Sequence, residues 1–285
     1  MRELLTILSA ILVVSLVGWV GYVLLFGSGK DAGLIIRETA GTVDYIDANG
    51  ATFPASVGQT VEAKARLRSG EDGRAVLEFG TDSTVTLAES TSIRVMGFDS
   101  DAVRIELDDG RVEATVRPGR SLGVVSGDRE VLAKDGRFRV ASGESGLVVE
   151  VDDGAVSTSG LEGVSGLVVG ERLFVAPSGE VVVAPIPRAL TFEVAWPENV
   201  STREAEISVR GRTDPGAEVR LHSLGAWRTI VADPSGNFEM VVPLEEGTNP
   251  LRVISRDPMG RESEETHEVI RDSRPPNGAA FEVHY

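Results

Sequence analysis

The apolar residues divide the chain into one continuous run and a long remainder in which apolar and polar residues alternate. The run covers residues 4–26, and as a helix it would be roughly 35 Å long, enough to cross a hydrocarbon core of about 30 Å. A cleaved signal peptide is the alternative, but its apolar part is usually about 7–15 residues long and ends at small residues, whereas Leu25 and Phe26 end this run. We therefore predict a transmembrane anchor at 4–26, a cytoplasmic stub at 1–3 and a linker at 27–34.

The charges around this run predict its orientation. Arg2 lies on the short side, Lys30 on the long side is offset by Asp31, and the rest of the chain is acidic. Because positive charge favours the cytoplasmic side, we expect the N-terminus in the cytoplasm and the bulk of the chain outside it.

Short runs of alternating residues continue from residue 34 to about residue 185, without a helical stripe. Period-two alternation with turn residues every eight to twelve positions is typical of strands, so the region is predicted to be all-β. Two segments repeat, 105–116 and 149–160, each with Asp-Asp-Gly at its centre. Asp-Gly between alternating apolar residues is a strong hairpin signal, and we predict turns at 108–110 and 152–154.

Two prolines at 185 and 187 interrupt this pattern, and residues 184–188 are predicted to be a linker between domains. Beyond it, 189–272 holds six or seven short alternating segments, which fits an immunoglobulin-type β-sandwich. The tail, 273–285, begins with a proline-rich spacer.

The end of the tail alternates as a strand would, with three candidate interaction residues on one face: Phe281, Val283 and Tyr285. They could add a strand to a partner's sheet edge. Docking on the tail's own domain, or disorder, is the alternative that we favour.

Composition narrows the function. The formal net charge of −16 argues against nucleic acid as a partner, because phosphates are neutralised by clusters of Lys and Arg. The chain has no cysteine, which suits an oxidising compartment.

Recognised catalytic spacings are absent from the sequence. His222, His267 and His284 are the histidines, and none lies in a nucleophile or zinc motif. We expect no enzyme activity, no cofactor and no metal. Trp227 is either a core residue, the favoured interpretation, or an exposed residue for stacking on a glycan.

The first β-region resembles the FecR domain family over most of residues 35–183. The family's Gly-x-x-Leu-x-x-Gly-Asp-x-Leu-x-Thr-Gly passage is similar to residues 55–61 followed by 65–70, and Gly41-Thr42-Val43 opens the domain. Its Gly-x-Ala-x-Leu-x-Leu-x-Asp-Gly-Ser-x-Leu-x-Leu passage is similar to 73–87. Residues 123–140 depart from the family's Thr-Pro-x-Ala-x-Val-x-Gly-Thr-x-Phe passage, because Asp135-Gly136-Arg137-Phe138 keeps the Gly and Phe but not the Gly-Thr pair.

This resemblance implies a place in the bacterial envelope. Founding members of the family combine a cytosolic anti-sigma domain, a transmembrane helix and a periplasmic sensor. The anti-sigma domain is expected to be missing here, because residues 1–3 cannot cover a sigma-factor surface of roughly 800 Å². A role in sigma signalling would then require a partner protein.

The second β-region resembles bacterial immunoglobulin-like modules. Their Val-x-Gly-x-Thr-x-Pro-Gly-Ala-x-Val passage is similar to residues 209–219, and 233–238, 244–249 and 256–260 follow in the expected order. These matching residues are turn and strand residues, so no ligand site follows from them.

The predicted protein is all-β: an N-terminal transmembrane helix, a FecR-type β-sandwich or β-roll domain at 35–183, and an immunoglobulin-like β-sandwich at 189–272. We expect a single-pass protein of a bacterial inner membrane with the bulk of the chain in the periplasm. Its predicted function is that of a protein-interaction or sensory scaffold for envelope proteins. The alternatives are a tethered module that binds peptidoglycan or another cell-wall polysaccharide, and an accessory to sigma-factor signalling.

Overall fold

The structure, a computed structural model, describes residues 33–196 and 201–274, which form strands and turns without any helix. The predicted fold class included an N-terminal transmembrane helix. For the described residues it is corrected, because they form strands and no helix. Their apolar positions repeat with a period of two, which suits a half-buried strand and not a helix. The segment 4–26 lies outside the described residues. Within them, no helix is long and apolar enough to cross a membrane.

The chain divides into two compact units that do not follow a single cut in the sequence. Besides the residues up to Phe138, the first unit contains Asp153–Gly160 and Val164–Gly166, while the second contains Arg139–Asp152, Leu161–Gly163 and the residues from Leu167 onwards. The predicted domains at 35–183 and 189–272, with the linker at 184–188, stay predictions.

The first unit is built from the early strands of the chain. These are β1 (Leu34–Ala40), β2 (Val43–Ile46), β3 (Thr52–Pro54), β4 (Thr60–Val61), β5 (Arg66–Ser69), β6 (Arg74–Phe79), β7 (Ser83–Leu87), β8 (Ser92–Phe98), β9 (Ala102–Val116) and β10 (Ser121–Ser126). Two long strands, β11 (Arg129–Gly143) and β12 (Gly146–Ser159), contribute residues to both units.

Strand β9 is central to the first unit because β7, β8 and β10 all pair with it. Its first half pairs antiparallel with β8 and parallel with β10, and its second half pairs antiparallel with β7. Alternate residues along β9 are buried, among them Val103, Ile105 and Leu107. The period-two pattern of the sequence therefore matches the buried face of the strand.

The Asp-Asp-Gly segments lie inside strands, and the predicted turns at 108–110 and 152–154 are wrong. Both glycines have positive φ, 96° at Gly110 and 74° at Gly154, but β9 and β12 continue through them. Near Gly110 the pairing between β8 and β9 shifts by one residue, which marks a β-bulge. A bulge with glycine at its first position has the same positive φ as a hairpin turn. The Asp-Gly dipeptide alone therefore does not distinguish a bulge from a turn.

The second unit contains the remaining strands. These are the last residues of β13 (Gly166–Val168), then β14 (Glu171–Val175), β15 (Val181–Pro185), β16 (Phe192–Ala195), β17 (Ser201–Thr202), β18 (Glu206–Thr213), β19 (Glu218–Ser223), β20 (Ala226–Val231), β21 (Asn237–Pro243), β22 (Gly247–Arg256) and β23 (Glu262–Arg271).

Strands β16 to β23 form two sheets of a sandwich. One has the order β16-β18-β21, and the other has the order β17-β23-β22-β19-β20, in which β17 runs parallel to β23. Their inner faces share an apolar core. The buried residues of this core are Val209, Val219, Leu221, Phe238, Met240, Val242, Leu244, Leu251, Val253 and Val269.

Gly136 gives a test of the close backbone approach between β11 and β12. Its φ is +95°, and a Cβ there would lie 2.1 Å from the carbonyl oxygen of Asp153. We expect Gly136→Ala to lower the free energy of unfolding by about 3 kcal/mol or more, because the strain of positive φ adds to a clash with backbone. Gly58→Ala is the matched control: its φ is +83°, but nothing lies within 4 Å of the added carbon.

The control should lose only about 1–2 kcal/mol, from φ alone. Urea denaturation followed by circular dichroism measures both variants. Equal losses would show that the two strands can separate to admit a methyl group.

Candidate functional site

Trp227 lies on the outer face of the five-stranded sheet. Leu224 and Gly225 connect β19 to β20 with φ of 50° and 74°, the conformation of a two-residue type I′ hairpin turn. The turn fixes a register in which Trp227 is opposite His222 on the face away from the core. The side chain is 46% exposed, so the predicted core location of Trp227 is wrong.

Two arginines lie against the Trp227 ring. The guanidinium carbon of Arg220 is 5.5 Å from the ring centroid and that of Arg252 is 5.9 Å away, both within the range of a cation–π interaction. The His222 ring is tilted against the indole at a centroid distance of 4.9 Å. Side chains of β19 and of the next strand, β22, therefore contact the tryptophan, although it is half exposed.

Carboxylates pair with these arginines. The guanidinium of Arg252 donates to both carboxylate oxygens of Glu264, at 2.6 and 2.7 Å, and holds the pKa of Glu264 below its ordinary value. Arg220 is 3.5 Å from Glu218. We call Trp227, His222, Arg220 and Arg252 the Trp227 patch. It is a half-exposed aromatic surface bordered by arginines that pair with carboxylates.

Among the other candidate residues of the sequence, only His267 lies within the part of the chain that the structure describes. Phe281, Val283, Tyr285 and His284 lie outside the described residues. The His267 ring stacks on Trp196 at a centroid distance of 4.7 Å, and the Trp196 indole N–H donates to Glu265 at 2.9 Å. Across the described ranges, no group of three or more His, Asp or Glu could hold a metal ion.

A buried ionic cluster in the second unit was not predicted from the sequence. Its members are three arginines and four carboxylates: Arg139, Arg172, Arg261, Glu150, Asp152, Asp214 and Asp257. Arg172 is 5% exposed and donates to Asp214 at 2.9 Å. Glu150, fully buried on β12, lies 2.9 Å from Arg139 and 3.1 Å from Arg261.

The loops of the sandwich supply three of the seven members of this cluster, Asp214, Asp257 and Arg261. Asp214 and Asp257 belong to the motifs 209–219 and 256–260, for which only turns and strands are predicted from the sequence. The backbone N–H and the guanidinium of Arg261 both donate to Asp257, at 2.7 Å. Arg261 also donates to the carbonyl oxygen of Pro187 at 2.7 Å. Next to these groups Met259 packs with Val148, Phe174 and other apolar residues.

Burial raises the pKa of Glu150 above its ordinary value, although Arg139, Arg261 and Arg172 oppose the shift. Repulsion from the neighbouring Asp257 carboxylate adds a smaller increase to that of burial. Each carboxylate of this cluster has at least one arginine partner, as buried charges require.

The first unit carries a shallow groove of about 450 Å³ between the end of β8 and the strands β9 to β11. Met96, which is 44% exposed, and Phe98 form its apolar part. The polar part includes Arg104 and Glu130, paired at 2.9 Å.

Comparison with known proteins identifies one family. The sequence model of the family named FecR protein matches residues 65–157 of this chain. This segment includes the strands around the groove. The resemblance to this family that the motifs predict is confirmed for that segment. The resemblance of 189–272 to bacterial immunoglobulin-like modules stays a prediction. Among curated proteins, none matches the chain.

Solved structures give weak similarities. Two crystal structures of a candidate anti-sigma factor from Parabacteroides distasonis are each 21% identical over 42% of this chain, with a TM-score of 0.38. The chain spans 59% of the length of that protein. A Ca²⁺-stabilised adhesin, with which an Antarctic bacterium binds ice, is 13% identical over 82% of this chain and 65% of the other, with a TM-score of 0.22.

Glu150→Gln tests whether the buried charge of Glu150 costs more stability than its ion pairs contribute. A carboxyl whose pKa is higher in the folded than in the unfolded protein stabilises the fold below about pH 4.5 and loses that contribution as pH rises through the folded pKa. We therefore expect the stability of the wild type, relative to Glu150→Gln, to decrease as pH rises above about 4.5. At pH 7 the substitution should cost little or stabilise the protein.

Arg172→Met is the matched comparison within the cluster. It leaves Asp214 buried without its closest cation, and such a loss typically costs about 3–5 kcal/mol. Denaturation curves at pH 4.5 and 7 measure both variants. If Glu150→Gln is as costly as Arg172→Met at pH 7, the ion pairs of Glu150 outweigh the cost of its burial and its pKa is not raised.

Proposed function

We propose that this chain is a non-catalytic binding protein, a scaffold for protein interaction or sensing, and that the Trp227 patch is its interaction surface. The observation that carries the proposal is the half-exposed Trp227 ring with the guanidinium groups of Arg220 and Arg252 within cation–π distance of it. Trp and Arg are the residues most enriched among those that dominate protein–protein binding energy. A side chain already fixed by its neighbours also loses little entropy on binding.

Glycan binding is the second candidate, because an exposed indole ring can stack on a sugar. The arginines argue against it as the first choice. Both guanidinium groups lie within cation–π distance of the ring, so a sugar would compete with them for contact with it.

Similarity to the FecR family over residues 65–157 supports a role connected with sigma-factor signalling, exerted through a partner protein. The strand order supports an immunoglobulin-type assignment for the sandwich. The order β16-β18-β21 corresponds to strands A-B-E of that fold, and β20-β19-β22-β23 corresponds to C′-C-F-G. The periplasmic location stays a prediction.

Trp227→Ala tests the patch by in-cell crosslinking of the tagged full-length chain, followed by quantitative mass spectrometry. Loss of a hot-spot side chain costs at least about 2 kcal/mol, so recovery of the specific partner should fall at least about tenfold. Val241→Ala is the control, because Val241 is 53% exposed on the other sheet of the sandwich.

The same two variants are assayed for retention on insoluble peptidoglycan. Retention that depends on Trp227, without a Trp227-dependent protein, would support the glycan-binding candidate instead. A sigma or anti-sigma factor among the Trp227-dependent proteins would support the signalling role. If neither protein recovery nor retention depends on Trp227, the proposed surface is wrong.

A further inference from the structure

Met96 is the extra residue of a β-bulge in strand β8. Val95 lies opposite Ile105 of β9. Gly97 lies opposite Arg104, which adjoins Ile105, so Met96 has no partner residue on β9. A bulge leaves its extra residue unpaired and can redirect its side chain. Val95 is fully buried whereas Met96 is 44% exposed, so the bulge brings a methionine side chain to the surface of the first unit.

The space beside Met96 is open to solvent. The side chain borders the groove together with Phe98. At the following residue, Gly97, a Cβ would have no heavy atom within 4 Å. Small molecules in solution can therefore reach the side chain of Met96 from the groove, without any movement of the strands around it.

The other two methionines of the described ranges are protected. Met240 is 4% exposed in the core of the sandwich, and Met259 is 7% exposed in the apolar cluster beside the buried arginines. The chain has no cysteine, so its sulfur atoms are all thioethers of methionine. A buried thioether reacts only after the structure around it opens. Among the described residues, Met96 therefore carries the sulfur that an oxidant reaches first.

We propose that Met96 is a site of reversible oxidation to methionine sulfoxide by a peroxide, at the border of the groove. The thioether sulfur attacks one oxygen of hydrogen peroxide, and the S–O bond forms as the O–O bond breaks. A proton moves from the attacked oxygen to the departing one, which leaves as water. The sulfur loses two electrons and the peroxide gains them. Methionine sulfoxide reductases reverse the modification in cells.

The position of Met96 determines what the modification changes. A thioether is a flexible apolar group, whereas a sulfoxide is polar and chiral. Because Met96 and Phe98 form the apolar part of the groove, oxidation replaces one apolar wall with a polar one. The pairing of β8 with β9 does not involve Met96, so the fold should keep its stability. At Met240 the same oxygen would enter the core of the sandwich.

Oxidation rates at single methionines test the proposal in the purified full-length chain. The protein is treated with hydrogen peroxide in buffer and, separately, in urea, and mass spectrometry of tryptic peptides gives the rate at each methionine. Dividing the rate in buffer by the rate in urea removes the effect of the local sequence. This ratio should be at least about tenfold higher at Met96 than at Met240 and Met259, because oxidation of the buried pair requires opening.

A second measurement tests whether the modified side chain stays at the surface. Protein oxidised only at Met96 should keep the midpoint of urea denaturation of the untreated protein, and a methionine sulfoxide reductase should return its mass to the original value. Met96→Leu is the matched control, because leucine preserves an apolar wall that peroxide does not modify. This variant should lose the fast oxidation and keep the slow rates at Met240 and Met259.

The proposal is overturned if the ratio at Met96 is no higher than at the two buried methionines. It is also overturned if oxidation of Met96 lowers the denaturation midpoint and the reductase does not restore the mass, because the sulfoxide would then mark an unfolded chain. The inference goes beyond the proposed function and does not depend on it. The groove belongs to the first unit and the Trp227 patch to the second, so Trp227→Ala should leave the oxidation rate at Met96 unchanged.

Discussion

A chain folded only from strands must satisfy its backbone by pairing each strand with a neighbour. In a helix every N–H finds its partner within the same segment, but a strand depends on residues that are distant in sequence. This requirement explains why β9 is so long: it gives β7, β8 and β10 a common partner. It also means that the last strand of each sheet keeps a row of free donors and acceptors. Binding surfaces in such a protein arise at these edges and on the faces beside them.

Strand positions could be read from the sequence because burial follows the period-two pattern almost residue by residue. The pattern could not show where a strand ends. At Asp109-Gly110 the same residues fit a hairpin turn and a bulge, and the choice is made by Thr91, whose Cα lies 2.5 Å from the place of a Cβ at Gly110. That contact joins residues far apart in the chain, so no local signal contains it.

The location of Trp227 was mispredicted for a related reason. Its neighbours Gly225 and Ala226 gave no information about which side of the sheet it would occupy, and the type I′ turn that sets the register begins with Leu224, an unusual residue for positive φ. The buried cluster had a signal that could have been used. Glu150 and Arg172 each interrupt an apolar segment, and a charged residue at a buried position of a strand usually has a partner of opposite charge.

The ionic cluster has a consequence for the order in which the second unit can form during synthesis. Arg261 follows Glu150 by 111 positions. At about 5–20 residues per second, a ribosome needs roughly 6–22 s to make the chain between them. During most of that interval Glu150, Arg139 and Arg172 have all been translated and the loop that encloses them has not. These groups therefore stay hydrated, and the apolar residues beside them stay uncovered, until the turn at Asp257 has been translated.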